Sequence, residues 1–101
     1  MTKTENTKYI RKVKILLNRI ETAYQKLGIE NEDFFNQYHD NMLIQRDCSF
    51  DVGNDIEHYL SKNDLKSADW HLEQLEKTTK YCEAIIELQT QTLALPECIF
   101  G

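Results

Sequence analysis

Residues 65–95 read LKSADWHLEQLEKTTKYCEAIIELQTQTLAL, and the period of this stretch decides the fold. Leu65, Ala68, Leu72, Leu75, Thr79, Cys82, Ile86, Gln89 and Leu93 recur at three- and four-residue intervals. At about 100° per residue they fall in one stripe of a helix. Trp70, Tyr81, Ala84, Leu88 and Leu95 make a second, sparser stripe roughly opposite. A helix with one apolar face docks on one core. A helix with two is either sandwiched inside a bundle or offers a surface to a partner. Thr79 and Gln89 within the main stripe suit a coiled-coil-like seam, in which polar positions set register. Pro96 ends the helix, and Leu95 before it is biased toward extended backbone.

The chain upstream supplies partners for this helix. Tyr9, Ile10, Val13, Leu16, Leu17, Ile20, Ala23, Tyr24 and Leu27 keep helical spacing, so a first helix is expected from Glu5 to Leu27, with Gly28 as its stop. Residues 1–4 are polar and expected to fray. Asn31 suits the cap of a second helix, followed by Glu32 and Asp33 at the positive end of its dipole. That helix carries Phe34, Phe35, Tyr38, Met42 and Leu43 and is expected to end between Gln45 and Cys48. Ser49 or Asp51 then caps a third helix with Phe50, Val52, Ile56, Tyr59 and Leu60 inward, and Gly53 weakens its start. Ser61–Asp64 forms a tight turn and Asp64 caps the long last helix. Tyr59, Ala68 and Leu72, around the Asn63-Asp64 turn, resemble one helical hairpin of the tetratricopeptide repeats, with Ile56 where that repeat has a small residue. The resemblance implies an antiparallel hairpin and nothing of function. The expected fold is all-α: a four-helix up-and-down bundle with long first and last helices, one domain over residues 1–101, with 96–101 as a tail.

Charge is unevenly placed. The net charge is −5, yet residues 1–20 hold six basic side chains against Glu5 alone, while the rest hold six basic and sixteen acidic ones. A basic first helix therefore belongs to an acidic body, and one of the two surfaces is expected to meet a partner of opposite sign or the other face of the same bundle. Three cysteines, Cys48, Cys82 and Cys98, fit neither a disulfide framework nor a zinc pattern, which points to free thiols in a reducing, cytoplasmic setting. No run reads as a signal peptide or a membrane span, so no membrane partner is expected.

Catalytic chemistry finds little to stand on. Asp55 and His58 share a helix face, but a second carboxylate-x-x-His pair is missing, so no metal or other cofactor is expected. No glycine-rich phosphate loop, nucleophile elbow or His-Glu-x-x-His occurs, and Asp47 beside Cys48 disfavours its thiolate. The ending Cys98-Ile99-Phe100-Gly101 is a poor prenylation box, because Phe100 and Gly101 are unusual in its last two places.

Binding is the expected function, not catalysis. Trp70, Tyr81, Leu88 and Leu95 are the expected protein-contact residues, used either by another protein or by a second copy in a homodimer through the last helix. An adaptor, inhibitor or regulatory subunit fits this size and acidity, small inhibitors of phages and mobile elements share them, and an acidic face imitating a phosphate backbone belongs to the same expectation. The alternative is a nucleic-acid binder that lays Lys8, Arg11, Lys12 and Arg19 of the first helix on phosphates.

Overall fold

A computed structural model describes residues 3–100, with side chains from Glu5 onward. Three helices run through them: α1 (Lys3–Gln25), α2 (Glu32–Ser61) and α3 (Leu65–Leu88). Each packs on both others, giving a rod of 48 × 20 × 19 Å. The described residues are otherwise turns and irregular chain, without strands. All-α holds; the expected four-helix count does not, because the second and third expected helices are one. The expected fraying falls partly on residues 1 and 2, outside the described range, and Lys3 already belongs to α1.

Asp47, Ser49 and Asp51 are capping types, which is why residues 46–51 read as a break between helices. Instead the Ser49 hydroxyl donates to the Gln45 carbonyl at 2.6 Å, one turn back in the same helix, so it has no cap to make. Met42, Gln45, Ser49, Val52, Gly53, Ile56 and Leu60 are the buried positions of α2 and keep a three-four period straight through the join. Two of them, Gln45 and Ser49, are polar, which hides the period from a reading of apolar residues alone.

Gly53 has a packing role. A Cβ placed there would sit 3.2 Å from Leu17 Cδ1 and 3.2 Å from Val13 Cγ1, so α1 crosses α2 closely at this point. Gly53→Ala is expected to change stability by less than about 1 kcal/mol, since gained helix propensity offsets a shift of Leu17 and Val13 by a few tenths of an ångström. Gly53→Leu is expected to cost about 2–3 kcal/mol by forcing the helices apart, and urea unfolding of the two variants checks both.

The caps follow the sequence. Asn31 accepts from the Phe34 amide at 3.2 Å, and Asp64 accepts from the Ser67 amide at 3.1 Å. Hydrogen bonds from the Ser67 side chain and amide hold the Asp64 carboxyl below its ordinary pKa. Asn63 takes the left-handed conformation, φ 56°, that asparagine tolerates, and this closes the α2–α3 hairpin.

α3 ends at Leu88, seven residues short of Leu95. The Gln89 side chain turns away to accept from the Gly28 amide at 2.7 Å and to donate to the Lys26 carbonyl at 3.2 Å. Thr90, Gln91 and Thr92 have no apolar face to keep a helix docked. The chain then doubles back, and Leu95, Cys98 and Phe100 pack against the core. Gln89 and Leu93 therefore leave the heptad stripe expected of them.

Candidate functional surfaces

The two stripes of α3 are distributed as a three-helix bundle requires. Ala68, Leu72, Leu75, Thr79 and Cys82 are buried, and so are Thr78, Tyr81 and Ile85, because α3 packs on α1 with one side and on α2 with the other. Of the expected contact residues, Trp70 is 58% exposed, but Tyr81 is 5% exposed and lies in the core. Leu88 is half-buried at the helix end, and Leu95 lies beyond it in the returning segment. These four side chains do not form one surface. Trp70 stands edge-on to His71, ring centroids 4.9 Å apart, and His71 in turn lies 4.9 Å from the Tyr59 ring.

Tyr81 is held by burial and by polar neighbours. Its hydroxyl accepts from Asn41 Nδ2 at 3.3 Å. Burial first, then the Cys98 thiol, push its pKa up to about 12. Burial, then Cys98 and Glu83, push the Cys82 thiol up to about 12 as well. Both groups are thus neutral in the fold, while the unfolded chain ionises near about 10 and about 8.5. Below pH ~8 this preference is fully present, and it is lost as pH rises from about 8.5 through about 12, because the unfolded state then binds fewer protons. The urea midpoint is expected to fall steadily between pH ~8 and ~11, and Cys82 is expected to resist alkylation at pH ~8 in the native protein.

The basic stripe of α1 is divided by its neighbours. Lys12 Nζ lies 2.6 Å from Glu76 Oε1. Arg19 makes a two-pronged pair with Glu83, its Nε 3.1 Å from Oε2 and its terminal nitrogen on Oε1. Two of the four expected phosphate contacts thus serve the α1–α3 contact. Lys8 and Arg11 stand exposed with Lys14, around the exposed Ile15. Beside them a groove of about 520 Å³ runs between α1 and α3, lined by Ile15, Thr22, Ala23, Lys26 and Ile86.

The outer face of α2 carries a pattern that the expected break concealed. On one uninterrupted helix, Asp33, Asp40, Asp47, Asp51 and Asp55 are all exposed. They lie within a stripe about 80° wide and about 33 Å long. Ile44, 45% exposed, sits inside the row, and Phe50, 46% exposed, flanks it. Between Asp33 and Asp55 no exposed residue of α2 is basic. Arg46 is half-buried and turns toward α1, 4.8 Å over the Tyr24 ring, with its Nε 3.5 Å from Glu21 Oε2 and 3.4 Å from Asp47 Oδ1. Counting exposed acids at helical spacing across residues 33–55 finds this row, provided the helix is read as continuous.

The third place of interest is the seam between α2 and α3 under the returning segment. Gln45 is fully buried there, and its Nε2 shares its two hydrogens among Asn41 Oδ1 at 3.0 Å, Cys98 Sγ at 3.2 Å and the Phe100 carbonyl. Cys98 Sγ donates to the same Phe100 carbonyl at 3.0 Å. Gly101 lies outside the described residues. Among the described residues no three or more His, Cys, Asp or Glu side chains gather as a metal would require, and no helix is long and apolar enough to cross a membrane. Comparisons with protein-family models, with curated proteins and with solved structures give no match to this chain.

Proposed function

We propose that this protein is a binding module whose contact surface is the outer face of α2 and whose partner presents a cationic surface with an apolar recess. The supporting observation is the aspartate row on one unbroken helix, with Ile44 in its midst. Aspartates four residues apart repel one another on a helix, by about 0.2–0.5 kcal/mol per pair, so Asp47, Asp51 and Asp55 weaken the fold they stand on. A partner with lysines and arginines at matching spacing reverses that sign, and Ile44 supplies the apolar anchor that charge alone lacks.

Charge density favours a protein partner over imitation of a duplex. Five charges over about 33 Å are one per ~7 Å, whereas duplex DNA carries one per about 1.7 Å. The row fits a cationic helix or the rim of a basic groove. An adaptor, inhibitor or regulatory subunit would all use such a surface.

Capture from lysate of the source cell, with the wild-type protein and with Asp40→Lys/Asp51→Lys as bait, tests this. The expected result is one stoichiometric protein at about 0.1 M salt, weakened near ~1 M salt and absent from the variant. A stoichiometric partner retained equally by both baits contradicts the proposal. The exposed Lys8, Arg11 and Lys14 favour a second reading, nucleic-acid binding through α1. Under it, duplex would be retained at low salt and lost from Arg11→Ala/Lys14→Ala with a shallower salt slope.

A further inference from the structure

The segment that returns over the α2–α3 seam is held by few groups. Leu95, Cys98 and Phe100 supply its apolar contacts. Its polar holds are the Gln45 amide nitrogen, which reaches Cys98 Sγ and the Phe100 carbonyl, and longer contacts of the Cys98 thiol with Asn41 Oδ1, at 3.9 Å, and with Tyr81. Otherwise it is irregular chain, with no helix or strand of its own from Gln91 to Phe100.

The match between the segment and the seam is one-sided. Gln45 offers a donor and an acceptor, and the segment uses the donor. Gln45 Oε1, on a side chain with no exposure at all, has no hydrogen-bond partner. An amide buried with half its capacity unmet is a costly feature for a fixed core and a natural one for a groove that exchanges occupants. Leucine, proline, isoleucine and phenylalanine in 93–100, LALPECIF, have the character of an extended peptide laid in an apolar groove.

We propose that the α2–α3 seam is a peptide-binding groove occupied in cis by residues 95–100. Its exchange ligand is an extended apolar peptide that gives a backbone carbonyl to Gln45 Nε2 and an N–H or O–H donor to Gln45 Oε1. The cis segment competes at an effective concentration in the millimolar range, because only a short linker ties it to α3. A peptide that satisfies both halves of the amide displaces it. This groove is distinct from the aspartate row, because Gln45 projects about 120° around α2 from the centre of the row, so either site can fail without the other.

The probe is a synthetic peptide of residues 93–100 with serine in place of its cysteine and two lysines added for solubility. In the 101-residue chain, Leu95→Asp/Phe100→Asp releases the cis segment. Helical circular dichroism is expected to persist, and fluorescence anisotropy is expected to show saturable peptide binding, weakened at least tenfold by adding Gln45→Leu. In the wild-type protein the same peptide at a few millimolar is expected to accelerate alkylation of Cys98 severalfold, located by peptide mass mapping, while Cys82 stays slow. A released variant that keeps its helices yet binds no peptide overturns the proposal. If that variant unfolds, the wild-type experiment decides: Cys98 alkylation that the peptide does not change overturns it.

Discussion

Asp40→Lys/Asp51→Lys is expected to lower affinity for the captured partner by at least about 100-fold at physiological salt, which is about 2.7 kcal/mol, while leaving the fold as stable as before or slightly more so. The two changes turn a row of one sign into a row of alternating signs. The ammonium introduced at position 51 would lie four residues from both Asp47 and Asp55, replacing two repulsive pairs by two attractive ones. Lost binding with gained stability is the signature of a surface kept for contact. A row with only a solubilising role predicts unchanged binding. Titration calorimetry with the captured partner and urea unfolding of the free protein read the two halves of this expectation separately.

Large effects on stability belong to the other side of the helices. Leu75 has no exposure, and Leu75→Ala is expected to cost about 2–5 kcal/mol. Total stability for a domain of this size is about 5–15 kcal/mol. Each kcal/mol moves the melting temperature by about 4–8 °C, so a fall of roughly 8–40 °C is expected. Tyr81→Ala is expected to cost about 3–5 kcal/mol, since it empties a core site and strips a partner from Asn41. Trp70→Ala, on the same sequence stripe, is expected to stay within about 0.5 kcal/mol. Equal costs at Tyr81 and Trp70 would mean that both face one environment, against the burial of one and the exposure of the other.

These contrasts show which parts of the architecture the residues announce. α1 is legible because its apolar positions alone trace the core face, and Asn31 and Asp64 announce the starts of α2 and α3. The middle of α2 is not, because its inward positions there are Gln45 and Ser49, polar residues: the first is met by Cys98, distant in sequence, and the second by the Gln45 carbonyl one turn back, neither of which an apolar pattern shows. Gly53 reads locally as a weak helix start, and its reason, the approach of Val13 and Leu17, lies on another helix. The early end of α3 is equally non-local: Gln89 continues a heptad on paper and leaves it to hold Gly28 and Lys26.

The same non-locality governs the candidate surfaces. Lys12 and Arg19 read as unpaired cations until Glu76 and Glu83 are placed beside them. Tyr81 reads as a contact residue until α2 is seen to cover it. The aspartate row is present in the residues throughout, but only an unbroken α2 aligns Asp33 and Asp40 with Asp51 and Asp55. Were α2 broken at residues 46–51, the two halves would point in unrelated directions.

Continuity of α2 is therefore the property on which the contact surface rests. Native-state amide hydrogen exchange across residues 44–54, read by NMR, measures it directly. One helix predicts protection that runs without interruption through Cys48, Ser49, Phe50 and Asp51, with opening free energies comparable to those of Ile56 and Met42. Fast exchange confined to residues 47–51, between two protected flanks, would mean two helices joined by a loop, and would contradict the account.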